Sequence, residues 1–194
     1  MPGTTVYDLG CARATRLINL CSEIEQPGHF IGYDNSLPML EQANQKIKEK
    51  ELDNRFQVRH ADLKGDLSKI QLDNASVVTM CWTMQFIRPL RRDNLIKWIY
   101  NSLVEEGAFI VAEKVLTKDT CMNRFFIDFY YDYKRRNGYK DLEIMRKREA
   151  LENVLIPFRF DENIEMFKRN GFEIADTFFQ YYNFSAFLCL KKTT

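Results

Sequence analysis

The segment Asp8-Leu-Gly-Cys-Ala-Arg-Ala14 places small residues, Gly10, Ala12 and Ala14, at alternate positions where a short apolar run meets a stretch of helical length. Small side chains at such a turn let a ligand approach the backbone closely. The spacing is not the G-x-G-x-x-G of a dinucleotide fold, because only Gly10 is present and Thr15 holds the third site. A G-x-G-x-G loop fits better, and a plain tight turn is the alternative.

Two further carboxylates end apolar runs. Asp34 closes Phe30-Ile-Gly-Tyr-Asp34, where an acidic residue after a second strand accepts hydrogen bonds from ribose hydroxyls or caps the helix that follows. Asp62 closes Phe56–Asp62 and is placed to receive an adenine amino group. Three acidic strand ends suit a cationic adenosyl ligand, which favours an adenosylmethionine-type cofactor over a nicotinamide dinucleotide.

Arg148 is the telling charge of the second half, since at helical spacing it shares a face with Ile144 and Leu151. A guanidinium there either pairs with an anion or snorkels its head to water while its stem covers the core. His29 and His60 have no partner at metal spacing and read as structural, no Ser-His-Asp or Cys-His arrangement is legible, and no metal is implied. Met39, Met84 and the stripe Met122, Phe125, Phe126, Phe129, Tyr130 and Tyr133 read as core. Two basic clusters, Lys134 to Arg136 and Arg146 to Arg148, read as solvated helix faces.

The elements that must position these residues follow from periodicity. Strands are expected at Thr5–Gly10, Phe30–Asp34, Phe56–Asp62, Ser76–Trp82 and Gly107–Glu113. After the second strand, Asn35-Ser-Leu-Pro38 offers a capping side chain and a first-turn proline, with Met39, Ala43 and Ile47 as the buried stripe. A helix with core face Leu95, Trp98, Ile99 and Leu103 precedes the fifth strand, and helices at Thr120–Arg136 and about Asp141–Asn153 follow it. A helix near Asn163–Arg169 and a hairpin of Phe172–Gln180 with Phe184–Leu190 end the chain. Strand and helix alternation over units of about 30 residues predicts one α/β domain, three-layered and doubly wound on a mostly parallel sheet.

Composition bounds the rest. The 194 residues suit one domain, no apolar run approaches the roughly 20 residues of a membrane span, and the formal charge of +1 gives no global reason to expect nucleic-acid binding. Cys11, Cys21, Cys81, Cys121 and Cys189 are odd in number and scattered, as reduced packing thiols are. The N-terminus shows no basic region followed by an apolar stretch, so a cytoplasmic protein is expected.

Several segments together carry a resemblance: Val6-Tyr-Asp-Leu-Gly-Cys11, Tyr33-Asp-Asn-Ser36, Asp73-Asn-Ala-Ser76, Thr83-Met-Gln-Phe86, Arg136-Asn-Gly-Tyr139, Leu142-Glu-Ile144, and Lys147-Arg148 followed by Leu151-Glu-Asn-Val154. From Pro2 to about Leu190 the chain resembles the carboxy-S-adenosyl-L-methionine synthases. The resemblance implies a class I methyltransferase fold with a seven-stranded sheet of order 3-2-1-4-5-7-6, strand 7 antiparallel. It implies transfer of a carboxyl group from prephenate to S-adenosyl-L-methionine, with phenylpyruvate as the other product. The carboxylated cofactor then serves formation of 5-carboxymethoxyuridine or 5-oxyacetyluridine at the tRNA wobble position, an indirect link to RNA.

By the same resemblance, Gly10, Cys11 and Ala12 line the amino-acid end of the cofactor, Asp34 and Asn35 hold the ribose, and Asp62 and Leu63 frame the adenine. Arg148 matches the family arginine that pairs with the added carboxylate, and a homodimer is expected with the helix Thr120–Arg136 at its interface. The site must protect a sulfonium ylide from water, and a helical insertion at about 117–155 is the expected cover. Three departures stand out: Cys81 replaces an asparagine near the cofactor, Ala14 replaces the last glycine of the loop, and the family's N-terminal helical segment is expected to be missing. The rival readings are an adenosylmethionine-dependent methyltransferase of RNA or a small molecule, and a non-catalytic cofactor-binding module.

Overall fold

The structure is a computed structural model and describes residues 3–24 and 28–192. Its centre is a sheet of order β3-β2-β1-β4-β5-β8-β7, made from β1 (Thr5–Leu9), β2 (His29–Asp34), β3 (Phe56–His60), β4 (Ala75–Cys81), β5 (Leu103–Leu116), β7 (Ile174–Tyr181) and β8 (Phe184–Leu190). The first five strands run parallel, while β8 lies antiparallel between β5 and β7. This is the expected order, with β8 as the expected antiparallel strand. An unforeseen two-residue strand, β6 (Phe158–Arg159), adds to the far end of β5.

Both faces of the sheet are covered because the strand side chains divide by a period of two. Phe30 and Phe56 point to one face, where α1 (Thr15–Glu23) and α2 (Leu37–Glu49) bury Leu17, Ile18, Cys21, Leu40, Ala43 and Ile47. Tyr7, Leu9, Ile31, Tyr33, Val78 and Met80 point to the other, under α3 (Pro89–Ser102) and α6 (Phe160–Arg169). Two cores back to back make the three-layer, doubly wound arrangement.

Several local expectations are corrected. On α2 the buried stripe is Leu40, Ala43 and Ile47 at i, i+3, i+7, and Met39 is exposed. Ser36 stands at the N-cap of α2 without a capping side-chain bond, since the carboxylate of Asp34 instead accepts from the Ser36 amide at 2.9 Å. On α3 the core face is Arg92, Leu95, Ile96 and Ile99, with Trp98 at its margin and Leu103 opening β5. His29 and His60 are exposed, so neither is a core histidine.

The largest correction concerns α4 (Thr120–Arg136), capped by Asp119 through a 2.8 Å bond from the Met122 amide. None of its residues is buried, and Met122, Phe125, Phe129 and Tyr133 are exposed. Periodicity correctly finds the apolar face, but among the described residues the rings that reach it, Tyr181, Tyr182 and Phe184, come from the β7–β8 hairpin. The next helix, α5 (Asp141–Ala150), ends earlier than expected and buries Ile144 alone.

Candidate cofactor-binding site

Where β1, β2 and β4 end, a cleft of ≈ 410 Å³ opens, lined by Gly10, Ala12, Asp34, Leu63, Trp82 and Thr83 among others. It lies outside the carboxyl ends of the strands, on either side of β1, where the chain reverses its direction of travel across the sheet; this is where open α/β sheets bind ligands.

The loop after β1 is built for close approach. Gly10 has φ +80°, its amide donates to the Tyr33 carbonyl at 2.8 Å, and a Cβ there would lie 2.1 Å from Thr83 Oγ1. Only glycine serves at this point, because the loops after β1 and β4 touch through it. Ala12 and Ala14 hold positive φ as well, 48° and 52°, so the backbone takes the glycine-type path without the glycines.

Asp34 ties this loop to β2. Its Oδ2 accepts from the Ala12 amide at 2.8 Å and its Oδ1 from the Ser36 amide at 2.9 Å. A carboxylate oxygen carries two acceptor positions, so each keeps one for a vicinal hydroxyl pair. Asp34 thus braces the loop and lines the cleft, and it is not the cap of α2, whose N-cap position is Ser36.

Asp8 is 1 % exposed and accepts from Thr79 Oγ1 at 2.8 Å. Its Oδ2 has no hydrogen-bond partner and is met only by the Arg16 guanidinium at 3.7 Å. Burial raises its pKa, with Arg16 and Thr79 opposing the rise. Asp8 is not itself among the residues that line the cleft, whereas its partner Arg16 is.

The expected residues separate into two groups. Gly10, Ala12, Asp34, Asn35, Leu63 and Cys81 line the cleft. Cys11, Asp62 and Arg148 are not among its lining residues. Cys11 is buried with its thiol packed where a Gly32 side chain would stand, and burial pushes that thiol up. Asp62 is exposed and accepts from the Lys64 amide at 2.9 Å. Arg148 is exposed on α5, so its apolar-face reading is corrected: Ile144 turns inward and Arg148 does not.

Sequence reasoning missed the buried polar groups that hold the loop after β4. Glu113 on β5 is buried, and its carboxylate accepts from the amides of Thr83 at 3.1 Å, Met84 at 2.8 Å and Gln85 at 3.1 Å. It thereby holds the loop that presents Trp82, Thr83 and Phe86 to the ligand. Burial pushes Glu113 up to about 7, against the pull of those amides and of Arg92. Arg92, 1 % exposed, donates to the carbonyls of Ile87 at 3.0 Å, Gln85 at 3.4 Å and Ile156 at 2.5 Å, with its guanidinium 4.2 Å from the centre of the Phe158 ring. Trp82 completes the rim at 41 % exposure and φ +59°, a strained conformation for a bulky residue.

Comparison with known proteins agrees with this geometry. A family model described as a methyltransferase domain matches residues 6–107. The chain is 43% identical over 192 residues to the carboxy-S-adenosyl-L-methionine synthase of Methylococcus capsulatus, covering 98% of this chain and 78% of that protein. The chain belongs to the carboxy-S-adenosyl-L-methionine synthase family. The synthase of Nitratiruptor is 39% identical over 187 residues, covering 96% of this chain and 76% of its own length.

Solved structures share the fold of this synthase family at low identity. The YcgJ protein of Bacillus subtilis superposes with a TM-score of 0.70 at 11% identity, over 98% of this chain and 93% of that one. A geranyl diphosphate methyltransferase in complex with S-adenosylmethionine gives 0.67 at 10% identity, over 99% and 79%. The residues present fit an adenosylmethionine cofactor: a side-chain-free approach at Gly10, free acceptor positions on Asp34 and apolar walls at Leu63 and Ile87.

Proposed function

We propose that the chain transfers a carboxyl group from prephenate to S-adenosyl-L-methionine, giving carboxy-S-adenosyl-L-methionine and phenylpyruvate. The product would serve modification of the wobble uridine of tRNA to 5-carboxymethoxyuridine or 5-oxyacetyluridine. The observation that carries this reading is the reach of the similarity. It extends over 192 residues, well past residue 107 where the match to the general methyltransferase model ends, and so includes α4 and α5.

In this reading the bound sulfonium supplies an activated methyl group, and the residues of the chain bind and orient it. Asp34 and Asn35 hold the ribose, Leu63 and Asp62 frame the adenine, and Gly10, Cys11 and Ala12 border the amino-acid end. Cys81, half-buried with a thiol raised by burial, stands near the sulfur as a weakly polar wall. Arg148, exposed and without an acidic partner among the described residues, supplies the guanidinium for the added carboxylate. A second copy of the chain would cover the aromatic face of α4, where Phe125 is 51 % exposed beside Phe129 and Met122.

The test is incubation with S-adenosyl-L-methionine and prephenate, followed by mass spectrometry of the nucleoside pool and detection of phenylpyruvate. The expected outcome is a cofactor heavier by one carboxyl group, with phenylpyruvate in equal amount. Methyl transfer to an added RNA or small-molecule acceptor, without any carboxylated cofactor, would replace this reading with that of an ordinary methyltransferase.

A further inference from the structure

The loop that follows β4 has two sides. One walls the cleft, through Trp82, Thr83, Phe86 and Ile87. The other grips the chain as it returns from α5, where the Gln85 carbonyl accepts from the Ile156 amide at 2.9 Å. Arg92, buried in the first turn of α3, donates to the carbonyls of Gln85 and Ile87 in the loop and of Ile156 in the returning chain. One guanidinium therefore holds both segments. Its carbon lies 4.2 Å from the centre of the Phe158 ring, and Phe158 pairs in turn with Val115 of β5.

Arg88 repeats this grip from outside. Exposed at the N-cap of α3, it donates to the Asn153 carbonyl at 3.2 Å, and Asn153 itself turns the chain with a left-handed φ of 57°. The turn after α5 is thus fastened at Asn153 and again at Ile156, both times to the stretch from Gln85 to Arg92. The helix has little else to fix it, since its 10 residues bury Ile144 alone. So short a helix is marginal by itself and takes its order from what holds its ends. Arg148 stands in its last turn, next to the fastened segment.

If the loop and the returning segment part, a buried charge loses an acceptor and a carbonyl loses its donor, a cost that makes the two move as one. We propose that Arg92 and Arg88 are positioning residues, which keep α5 and its Arg148 in register with the loop that walls the cofactor cleft, so that a ligand that settles the loop also settles the helix. The consequence for recognising an added carboxylate rests on the role given to Arg148 above, whereas the link between loop and helix does not.

The test is hydrogen–deuterium exchange of the whole chain with and without S-adenosyl-L-methionine. Wild type is compared with Arg88→Gln, Arg88→Lys, Arg92→Lys and the distant control Lys97→Gln, with thermal midpoints to check folding. The ligand should slow exchange in peptides spanning 82–88 and, in wild type and the control, in those spanning 141–156 as well. Arg88→Gln and Arg92→Lys should keep the first protection and reduce the second about fivefold or more, while Arg88→Lys, which retains a charged donor, should keep both. Calorimetry adds a reading that lost stability alone would not move: Arg88→Gln should lower the preference for the carboxylated cofactor over its parent about fivefold, with affinity for the parent unchanged. Where Arg92→Lys does not fold, the exposed Arg88→Gln decides. Protection of 82–88 without protection of 141–156 in wild type would overturn the proposal, as would full protection of both in every variant. Coupled protection in a wild type that shows no preference for the carboxylated cofactor would keep the link and overturn the function proposed above.

Discussion

The strand ends around the cleft and the helix pair α4–α5 are made in opposite ways. Around the cleft, charged and polar groups are buried and almost fully satisfied: Glu113 holds three amides, Arg92 three carbonyls, and Asp34 two amides. On α4 and α5 one residue is buried, and many basic and aromatic side chains stand exposed, held by surface ion pairs and ring contacts with the β7–β8 hairpin. The first region is preorganised for a ligand common to many proteins of this fold. The second keeps its charges and rings at the surface, and it is there that recognition of a particular substrate or subunit can be built without disturbing the core.

The sharpest way to break this contrast is to attack the buried polar groups. Arg92→Met leaves three carbonyls without their donor and Glu113 without its neighbouring cation, and should cost about 3–5 kcal/mol in denaturant unfolding. A loss under 1 kcal/mol would show these groups to be less committed than their geometry says. Glu113 adds a pH signature. Its folded pKa of about 7 lies above the ordinary 4.5, so its contribution to stability is fully present below the ordinary value and fades as pH rises through the folded one. The thermal midpoint should fall between pH 5 and pH 8 by the equivalent of roughly 3 kcal/mol, and Glu113→Gln should flatten that slope even though it lowers the midpoint. Asp8, also raised by burial, acts in the same sense.

The exposed region should answer differently. Arg148→Ala should leave folding unchanged but weaken the carboxylated cofactor by about 1.5–3 kcal/mol relative to its parent, read by calorimetry on both ligands. Equal losses for the two would remove Arg148 from the discriminating role. The smallest effect belongs to Phe125→Ser with Phe129→Ser, which should change unfolding of the monomer by no more than about 0.5 kcal/mol. The same pair should shift sedimentation toward the monomer if a second copy covers α4. An unchanged sedimentation profile would leave that face to some other partner.

Much of the first region is legible in the sequence, because parallel strands buried on both faces announce themselves as apolar runs and their ends fix where ligands sit. The loop at Gly10 and the carboxylate of Asp34 were found in that way. Glu113 and Arg92 were not, although signals existed. Glu113 continues the inward alternation Phe109, Val111, Glu113, Val115, and Arg92 lies at i, i+3, i+4, i+7 with Leu95, Ile96 and Ile99. A charge on an inward position implies a buried partner, as at Glu113 and Arg92, whereas at Arg148 the structure turns the side chain outward. The stripe on α4 was read as core because periodicity identifies an apolar face without saying what lies against it. The positive φ values of Ala12 and Ala14 follow the glycine positions of the loop pattern, whereas that of Trp82 has no signal in residue type.

Trp82 has one more consequence. The chain contains two tryptophans, and the other, Trp98, lies half-buried on α3 against the core and is not among the residues lining the cleft. An indole at the mouth of the pocket and another elsewhere give the molecule its own optical gauge. Ligand entry should alter the emission of the first while the second holds a constant background, so occupancy can be followed in solution without any label.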